Sequence, residues 1–441
     1  MNLIEAYKDR LAVSEAVYKK AHLNEGMSEQ KKLATAVCLN NISKFINEAF
    51  ANSVGTQRSD LGNYKKFTLN LTTVALPNLI AFDLVIVQPM TAMTGSVAYV
   101  QYVAGSNKGA TKQGDVFNDP FRLGKVDPAY TSQVVAETVK VTSNVAHINW
   151  TPVVPAETEV KVGGTAKTVI TEGTPAAGQV LVEADGKLTF FANEVADNTD
   201  VAVKYVYDNV VIPQNDLPIL NARIENIPLL AKARRIAIYY SQIANYQAKT
   251  DYGFDLGDQL AEKAVGQLNY EIDTEIVDLL AANAAQDGDL VWSKTLPVGV
   301  SKAEHYEGFS EIIEIGKQKI YDRTKRFAPT YIVIASNVLP VLTFMKGFQA
   351  APANNINGPY FAGSLNGLKV FVSPSVEAGT FFLGVNGSDL MSSAAVYAPY
   401  MPIIPTQLLG YSDGAMSQGF STMYDLKLLN KDLLVAGRVT A

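Results

Sequence analysis

The stretch LPNLIAFDLVIVQPM, residues 76–90, is a nearly continuous apolar run that carries one carboxylate, Asp83, and has Pro77 and Pro89 near its ends. A bilayer core requires about 20 apolar residues without a charge, so this run is too short and too polar to cross a membrane. A second apolar run, residues 331–345, is interrupted by polar residues and a proline. We therefore predict no transmembrane helix, and we interpret residues 76–90 as buried strand structure that the two prolines delimit.

A buried carboxylate needs a partner, because transferring a lone charge out of water is costly. Asp83 therefore raises the question of which cation it meets. The chain has a compact basic cluster at Lys232, Arg234 and Arg235. We expect one of these three side chains to pair with Asp83.

The composition limits the possible functions. The 441 residues include 43 acidic and 37 basic side chains, which gives a net charge of −6, so chain-wide attraction to nucleic acid is not expected. Residues 1–20 contain charges where a secretory signal would be uninterruptedly apolar, and the single cysteine, Cys38, cannot form an intrachain disulfide. These features predict a cytosolic chain in which Cys38 is a small buried residue on a helix.

Residues 1–52 show two helical patterns. The first has an apolar stripe at Ile4, Tyr7, Leu11 and Tyr18, and the second follows Ser28, a suitable N-cap. The second stripe consists of Leu33, Val37, Ile42, Phe45, Ile46 and Phe50. A loop rich in Gly, Ser and Asn follows, so residues 1–66 are predicted to form an arm that is attached to the rest but not embedded in it.

The middle of the chain has a different texture. A strand pattern at residues 95–102 precedes a polar segment at 104–133 that has little periodicity and resembles an extended loop. Short β patterns separated by turn residues then fill 137–212, with Asp185-Gly186 as a hairpin turn. We predict an all-β domain that is inserted between two parts of one parent domain.

A long helix is predicted at about 255–285. Its apolar residues recur every three or four positions, and its other faces are strongly acidic. The acidic side chains are Asp255, Asp258, Glu262, Glu271, Asp273, Glu275 and Asp278. They form either a solvated face or a surface that pairs with a basic cluster, such as Lys232, Arg234 and Arg235, on another subunit. The last third of the chain alternates helix and strand, which indicates an α+β domain.

No motif argues for catalysis. The sequence GYSDG at 410–414 matches a nucleophile elbow, but no histidine follows His305, so we interpret it as a glycine-rich turn. The sequence GGTAKT at 163–168 lacks a glycine before Lys167 and is flanked by strand patterns, which predicts a β-turn. The three histidines lie in separate segments without metal-ligand spacing. We expect no catalytic, metal or cofactor site.

Four segments, in the same order along the chain, resemble the major capsid proteins of T-even-like tailed phages. They are ALPNLIAFDLVIVQPM at 75–90, the block at 229–280 that leads into the long helix, FAGSLNGLKVFVSP at 361–374 and VYAPYMPII at 396–404. The set is specific because the segments keep the family's order from residue 75 to about residue 410. The sequence at 137–212 does not match the family's own insertion.

The resemblance implies an α+β fold of the Hong Kong 97 type. It assigns residues 1–66 to an N-terminal arm, 91–136 to an extended loop, 306–400 to an axial domain and 137–212 to the inserted all-β domain. The peripheral domain consists of 67–90 and 213–305, the latter including the spine helix at 255–285, and residues 401–441 return to it.

The resemblance also implies a function. The chain is expected to be a structural protein that assembles with copies of itself into hexamers and pentamers of an icosahedral head, formed in the host cytoplasm and present in the virion. Portal, scaffold and decoration proteins are expected partners, and double-stranded DNA is enclosed without specific binding. An encapsulin-like compartment and a secreted adhesin are the alternatives. The candidate inter-subunit contacts are Lys232, Arg234, Arg235, Asp258, Glu262, Glu271, Lys108, Lys112, Arg122 and Tyr400.

Overall fold

The computed structural model describes residues 3–21, 25–51, 68–108, 111–119, 121–124, 127–208, 218–351 and 358–440. The chain divides into two compact units. The larger consists of Met1–Val97 with Asn226–Ala441, and the smaller of Ala98–Glu225. Both helices and strands are abundant, in agreement with the predicted α+β class.

Three helices form the N-terminal region, Leu3–Ala6, Lys8–Ala21 and Glu29–Ala51. The backbone N–H of Lys31 points at the hydroxyl of Ser28 at 3.4 Å, as expected for an N-cap. Cys38 is fully buried on the third helix, and burial raises the pKa of its thiol to about 12. The prediction for Cys38 is confirmed.

The third helix is part of the hydrophobic core. Cys38 packs in the main core, while Leu39 and Ile42 pack against Met401 and Ile404 near the other end of the chain. The interpretation of an arm that is not embedded is therefore wrong for residues 34–46. Two residues of the predicted stripe, Leu33 and Phe45, are 45% and 42% exposed, so the buried face is rotated from the one that periodicity suggested.

Residues 76–84 are mostly helical, which corrects the strand interpretation for this part of the run. A helix over 68–75 continues into the 3-10 helix Leu76–Asn78, and the helix Ala81–Leu84 follows. Pro77 lies in the first turn of the 3-10 helix into which the helix over 68–75 passes, so it belongs to helical structure and does not end a strand. Only Ile86–Val87 forms a strand, which pairs in parallel with Val396 and Tyr397 at the edge of a sheet.

A five-stranded sheet underlies the long helix. Its order is Ile86–Val87, Ala395–Pro405, Ala415–Leu428 and Lys232–Ser241, with Leu409–Gly410 paired to Ala415–Leu428. The long helix, Leu256–Asn283, begins at its N-cap Asp255 and packs against this sheet through Ala264 and Leu268. The short helix Gln242–Gln247 and the π-helix Ala248–Tyr252 connect the last strand to the long helix.

A seven-stranded sheet forms the centre of the main core. Its order is Ala285–Ser293, Leu434–Thr440, Thr380–Gly384, Tyr331–Ala335, Leu368–Ser373, Tyr360–Leu365 and Phe348–Ala350. Helices Lys302–Glu307, Phe309–Thr324 and Leu339–Thr343 belong to the same region, and the 3-10 helices are Leu390–Ser392 and Lys431–Leu433.

One predicted domain boundary and one predicted sheet assignment are wrong in this region. The boundary at residue 400 falls inside the strand Ala395–Pro405. Residues 434–440 do not return to the sheet of the long helix, because Leu434–Thr440 lies between Thr380–Gly384 and Ala285–Ser293. Non-local pairing of this kind is not readable from local sequence patterns.

The smaller unit contains a seven-stranded sheet with its own core. Its order is Val134–Lys140, Asp200–Val206, Glu159–Val162, Thr165–Ile170, Gln179–Val182, Lys187–Phe190 and Val145–His147. Val134–Lys140 pairs along its whole length with Asp200–Val206, so the predicted boundary between 136 and 137 cuts a strand and is placed too late. Residues 209–212 lie outside the described residues. Gly186, with φ of 85°, forms the predicted hairpin turn.

A four-stranded sheet has the order Leu220–Leu230, Thr94–Ala104, Val116–Asp119 and Arg122–Leu123. A short helix, Pro128–Thr131, follows, and the 3-10 helix Pro155–Glu157 lies further along the chain. The polar segment at 104–133 therefore contains more regular structure than its composition indicates. In the described part of the chain, no helix is both long and apolar enough to cross a membrane.

Candidate functional site

Asp83 lies in a cluster of charged and phenolic groups. Its side chain is 1% exposed, and Oδ1 accepts hydrogen bonds from Tyr18 Oη at 2.7 Å, Lys31 Nζ at 3.0 Å and Lys369 Nζ at 3.2 Å. Lys31 also donates to the Tyr18 hydroxyl at 2.7 Å. The expected partner from the cluster at 232–235 is wrong, because the cations come from the third helix and from the strand Leu368–Ser373.

The positive and negative charges of this cluster are equal in number. Burial raises the pKa of Tyr18 far above its usual range and lowers that of Lys31. Desolvation also acts to lower the pKa of Lys369, but the negative charges of Asp83 and Glu25 outweigh it and raise that pKa. A cleft of about 320 Å³ adjoins the cluster. Two cations and two carboxylates leave no net charge there, so the arrangement favours a structural junction over an ion-binding site.

Asp273 is a second buried carboxylate, which the sequence interpretation placed on an exposed acidic face. It is 6% exposed, and its Oδ1 accepts the backbone N–H of Ile80 at 3.0 Å. Burial raises its pKa well above the usual range, although the N–H groups of Ile80 and Ala81 oppose that shift. Its spacing of three and four residues from the buried Ile276 and Val277 was the available signal, since that spacing places it on the buried face.

The three residues of the basic cluster differ in whether they form ion pairs within the chain. Arg234 pairs within the chain with Glu271 at 3.1 Å and Glu275 at 2.6 Å. Of the predicted contact residues, Arg234 and Glu271 are therefore already engaged with each other. Lys232 and Arg235 are exposed, and no acidic side chain in the described ranges pairs with either.

Asp258 and Glu262 lie exposed in the first half of the long helix. As with Lys232 and Arg235, the described residues supply no cation that pairs with either carboxylate. The charges of these four side chains therefore remain available for other contacts.

Lys108 is buried, which argues against the predicted inter-subunit contact. Its ammonium group donates to the Ser132 carbonyl at 2.7 Å and the Tyr207 hydroxyl at 2.6 Å, and it lies 5.1 Å from the centroid of the Trp150 ring. Desolvation lowers the pKa of Lys108. Within the smaller unit, the hydrogen bonds and the cation–π contact of this lysine hold the segment around residue 108 against the β strands.

The other predicted contacts differ in their surroundings. Lys112 is exposed. The backbone of Arg122 forms part of a strand, but its side chain lies outside the described residues. Tyr400 is half-buried, and its carbonyl accepts a hydrogen bond of 2.9 Å from Asn41. Tyr400 therefore contributes to docking of the third helix.

The motifs that resembled catalytic ones form turns. Gly414, with φ of 77°, closes a hairpin in which the Tyr411 N–H donates to the Ala415 carbonyl, so GYSDG is a turn as predicted. Gly163 and Gly164 both have positive φ between two paired strands, which confirms the β-turn at GGTAKT. Among the described side chains, no group of three or more metal-ligating residues occurs.

The histidines show no shared site. His147 is exposed on a strand, and His305 is half-buried and stacks on Trp292 with 4.8 Å between ring centroids. His22 lies outside the described residues.

Comparison with known proteins identifies the family. The model of the family described as major capsid protein Gp23 matches residues 61–436. The chain belongs to the Gp23 major capsid protein family. This confirms the resemblance found in the sequence, and the chain is a structural capsid protein of the T4-like phages rather than an enzyme.

Relatives of this capsid protein match most of its length. The major capsid protein of Vibrio phage KVP40 is 25% identical, with 85% of this chain and 78% of the relative covered. That of Enterobacteria phage T4 is 23% identical, with 80% and 73% covered. The family match favours a phage capsid over the encapsulin-like compartment.

Solved structures similar to this capsid protein include phage capsids. The capsid of Myoviridae phage XM1 aligns over 71% of this chain and 88% of the XM1 chain, at 8% identity and a TM-score of 0.36. The virus-like particle from Pyrococcus furiosus aligns over 49% of this chain and 79% of the particle's chain, at 11% identity and a TM-score of 0.33. These similarities are too distant to add to the family match.

Proposed function

We propose that this capsid protein has the Hong Kong 97-type fold and assembles into hexamers and pentamers of an icosahedral head that encloses double-stranded DNA. The observation that carries the proposal is the family match over residues 61–436. Assembly takes place in the host cytoplasm with a scaffold protein and a portal, and decoration proteins bind the finished surface.

The parts of the chain have distinct roles in this proposal. Residues 1–66 form the N-terminal arm, of which residues 34–46 pack in the core. The region of 91–133 is the extended loop, and the β strands from Val134 onward are the insertion that ties neighbouring subunits together. The sheet under the long helix belongs to the peripheral domain, and residues 306–394 contribute most of the axial domain.

Exposed apolar residues in the smaller unit support assembly. Leu220 and Ile224 are 60% and 69% exposed, and Val100 and Tyr102 are 39% and 44% exposed. Exposed apolar clusters mark surfaces that partners cover. A closed shell repeats each such contact many times, so individually weak contacts suffice.

Enclosure of DNA does not require a binding site. The net charge of −6 provides no excess of cations to neutralise phosphates. The genome can therefore enter and leave without adhering to the wall. An electrophoretic mobility assay at physiological salt should show no shift of duplex DNA at protein concentrations of about 10 μM.

The decisive experiment is negative-stain microscopy of the full chain expressed with its scaffold protein, combined with sedimentation. Shells, tubes, sheets or separate hexamers are expected. A chain that remains monomeric under all of these conditions would overturn the proposal.

A further inference from the structure

A groove of about 520 Å³ opens between the helix over 68–75 and the first half of the long helix. Leu71, Val74 and Val265 line it, and Phe420 from the sheet lies at its floor. Val74 is 45% exposed although it faces this apolar depression. An open apolar groove of this size is typical of a surface that binds a partner.

The rim of the groove is acidic. Asp258 and Glu262 border it together with Lys263, which leaves an excess of one negative charge. No cation in the described part of the chain pairs with Asp258 or Glu262, as noted above. A partner that combines apolar atoms with positive charge would therefore satisfy both the lining and the rim.

The strand Lys232–Ser241 presents such a combination. It lies at the edge of the five-stranded sheet and pairs with Ala415–Leu428 over ten consecutive residues without a bulge. On its other side no strand of the described residues pairs with it. Lys232 and Arg235 supply unpaired positive charge, and Tyr239, 63% exposed, supplies an aromatic surface. Tyrosine and arginine are enriched at the centres of interfaces.

Arg235 and Tyr239 lie on the face of the sheet opposite to the groove. Phe420 pairs with Ile236, and both side chains pack toward the long helix, where the groove opens. Arg235 directly precedes Ile236 and Tyr239 lies three residues after it, so both side chains point to the opposite face, whereas Lys232 lies on the face of Ile236 at the beginning of the strand. One chain therefore cannot bring its own Arg235 and Tyr239 into its own groove.

We infer that the groove binds the strand Lys232–Ser241 of a second copy of this chain, with Arg235 of that copy facing Asp258 and Glu262, Tyr239 covering the apolar lining and Lys232 adding positive charge at the beginning of the strand. Such a contact is head-to-tail, because each copy uses different surfaces for its two neighbours, and contacts of this type generate rings when the rotation closes. The inference rests on the proposed self-assembly and names one surface that would direct it.

Charge reversal tests the contact in the full chain expressed with its scaffold protein. One variant combines Asp258→Lys with Glu262→Lys, a second combines Lys232→Glu with Arg235→Glu, and a third carries all four changes. Each two-fold reversal is expected to reduce the yield of assembled particles at least about tenfold, because like charges then meet across the interface. The variant with four changes is expected to recover most of the wild-type yield.

Matched controls separate assembly from folding. Asp278→Lys and Lys427→Glu reverse exposed charges on the same helix and on a neighbouring strand, away from the groove. Both controls should assemble as the wild type does. Thermal unfolding of unassembled protein should change by no more than about 2 °C in the two double variants, as is usual for exposed sites.

The outcomes are distinct. If either double variant assembles like the wild type, or if the variant with four changes assembles no better than its parents, the inference is overturned. Rescue of the acid-reversed variant by Lys112→Glu instead would assign the groove to a different segment and also overturn it. A loss of thermal stability without loss of assembly would show that the groove is filled by its own chain. Failure of the wild type to assemble would count against the proposed function itself.

Discussion

The hydroxyl of Tyr18 donates a hydrogen bond of 2.7 Å to Oδ1 of Asp83, which is 65 residues away in sequence. Lys31 and Lys369 contact the same oxygen, so one buried carboxylate joins two N-terminal helices to a strand of the seven-stranded sheet. The N-terminal region is held against the core by this junction as well as by apolar packing. Changes at Asp83 should therefore affect the docking of the whole region.

Replacement of Asp83 by Asn should lower the free energy of unfolding by about 3 kcal/mol, because two ammonium groups lose their shared counter-charge in a buried site. Urea denaturation measures the loss. Glu25→Gln is the matched control, since Glu25 pairs with Lys369 but is 56% exposed, and it should cost less than about 1 kcal/mol. Equal losses in the two variants would contradict a special role for the buried carboxylate.

Adjacent arginines should respond differently to charge reversal. Arg234→Glu places a third carboxylate beside Glu271 and Glu275, and we expect unfolding to become easier by about 1–2 kcal/mol. Arg235→Glu changes an exposed side chain without a described partner and should alter the free energy of unfolding by less than about 0.5 kcal/mol. Chemical denaturation of the two variants in parallel makes the comparison. If Arg235→Glu were as destabilising as Arg234→Glu, the intrachain ion pairs would not be the cause.

Asp273 should make the protein less stable as pH rises. Burial raises its folded pKa above that of the unfolded chain, so its stabilising contribution is complete below about pH 4 and is lost as pH rises toward the folded pKa. Asp273→Asn removes this titration. The variant should gain stability relative to the wild type between pH 4.5 and pH 8, by about 1.4 kcal/mol for each pH unit over which the folded carboxyl stays protonated.

Urea denaturation at both pH values tests this prediction, with Asp278→Asn on the exposed side of the same helix as the matched control for the loss of one carboxylate. A wild type that becomes more stable relative to Asp273→Asn at pH 8 would mean that the N–H groups of Ile80 and Ala81 outweigh desolvation.

Gly437→Ala should disrupt the seven-stranded sheet at Leu434–Thr440, the strand next to its edge. A Cβ at Gly437 would lie 2.5 Å from the backbone oxygen of Leu290 and would also overlap the ring of Phe381. Because the backbone oxygen cannot move aside, we expect a loss of about 3 kcal/mol in the free energy of unfolding. Gly288→Ala is the control, since a Cβ there meets open space. A neutral Gly437→Ala variant would show that the C-terminal strand does not occupy this position.

Local patterns in the sequence were sufficient for many individual elements. The long helix begins at Asp255, whose carboxylate accepts the N–H groups of Gly257 and Asp258, and a capping residue followed by regular apolar spacing is visible without a structure. The turns at Gly186 and Gly414 were equally predictable, because glycine accommodates positive φ without steric cost. Lys108 shows the limit of such reasoning, since a lysine in a polar segment gave no sign that Trp150 and Tyr207 enclose it.

The family, the α+β class and the position of the long helix could be predicted from the residues alone, which also contain no catalytic motif. These depend on residue order and on periodicities within about 20 residues. The folded structure was needed to find that Asp83 pairs with Lys31 and Lys369, that Arg234 is engaged within its own chain, and that the strand Leu434–Thr440 lies in the seven-stranded sheet. The physical reason is that a charge selects its partner by distance in space, and strands pair across any separation in sequence that chain closure permits.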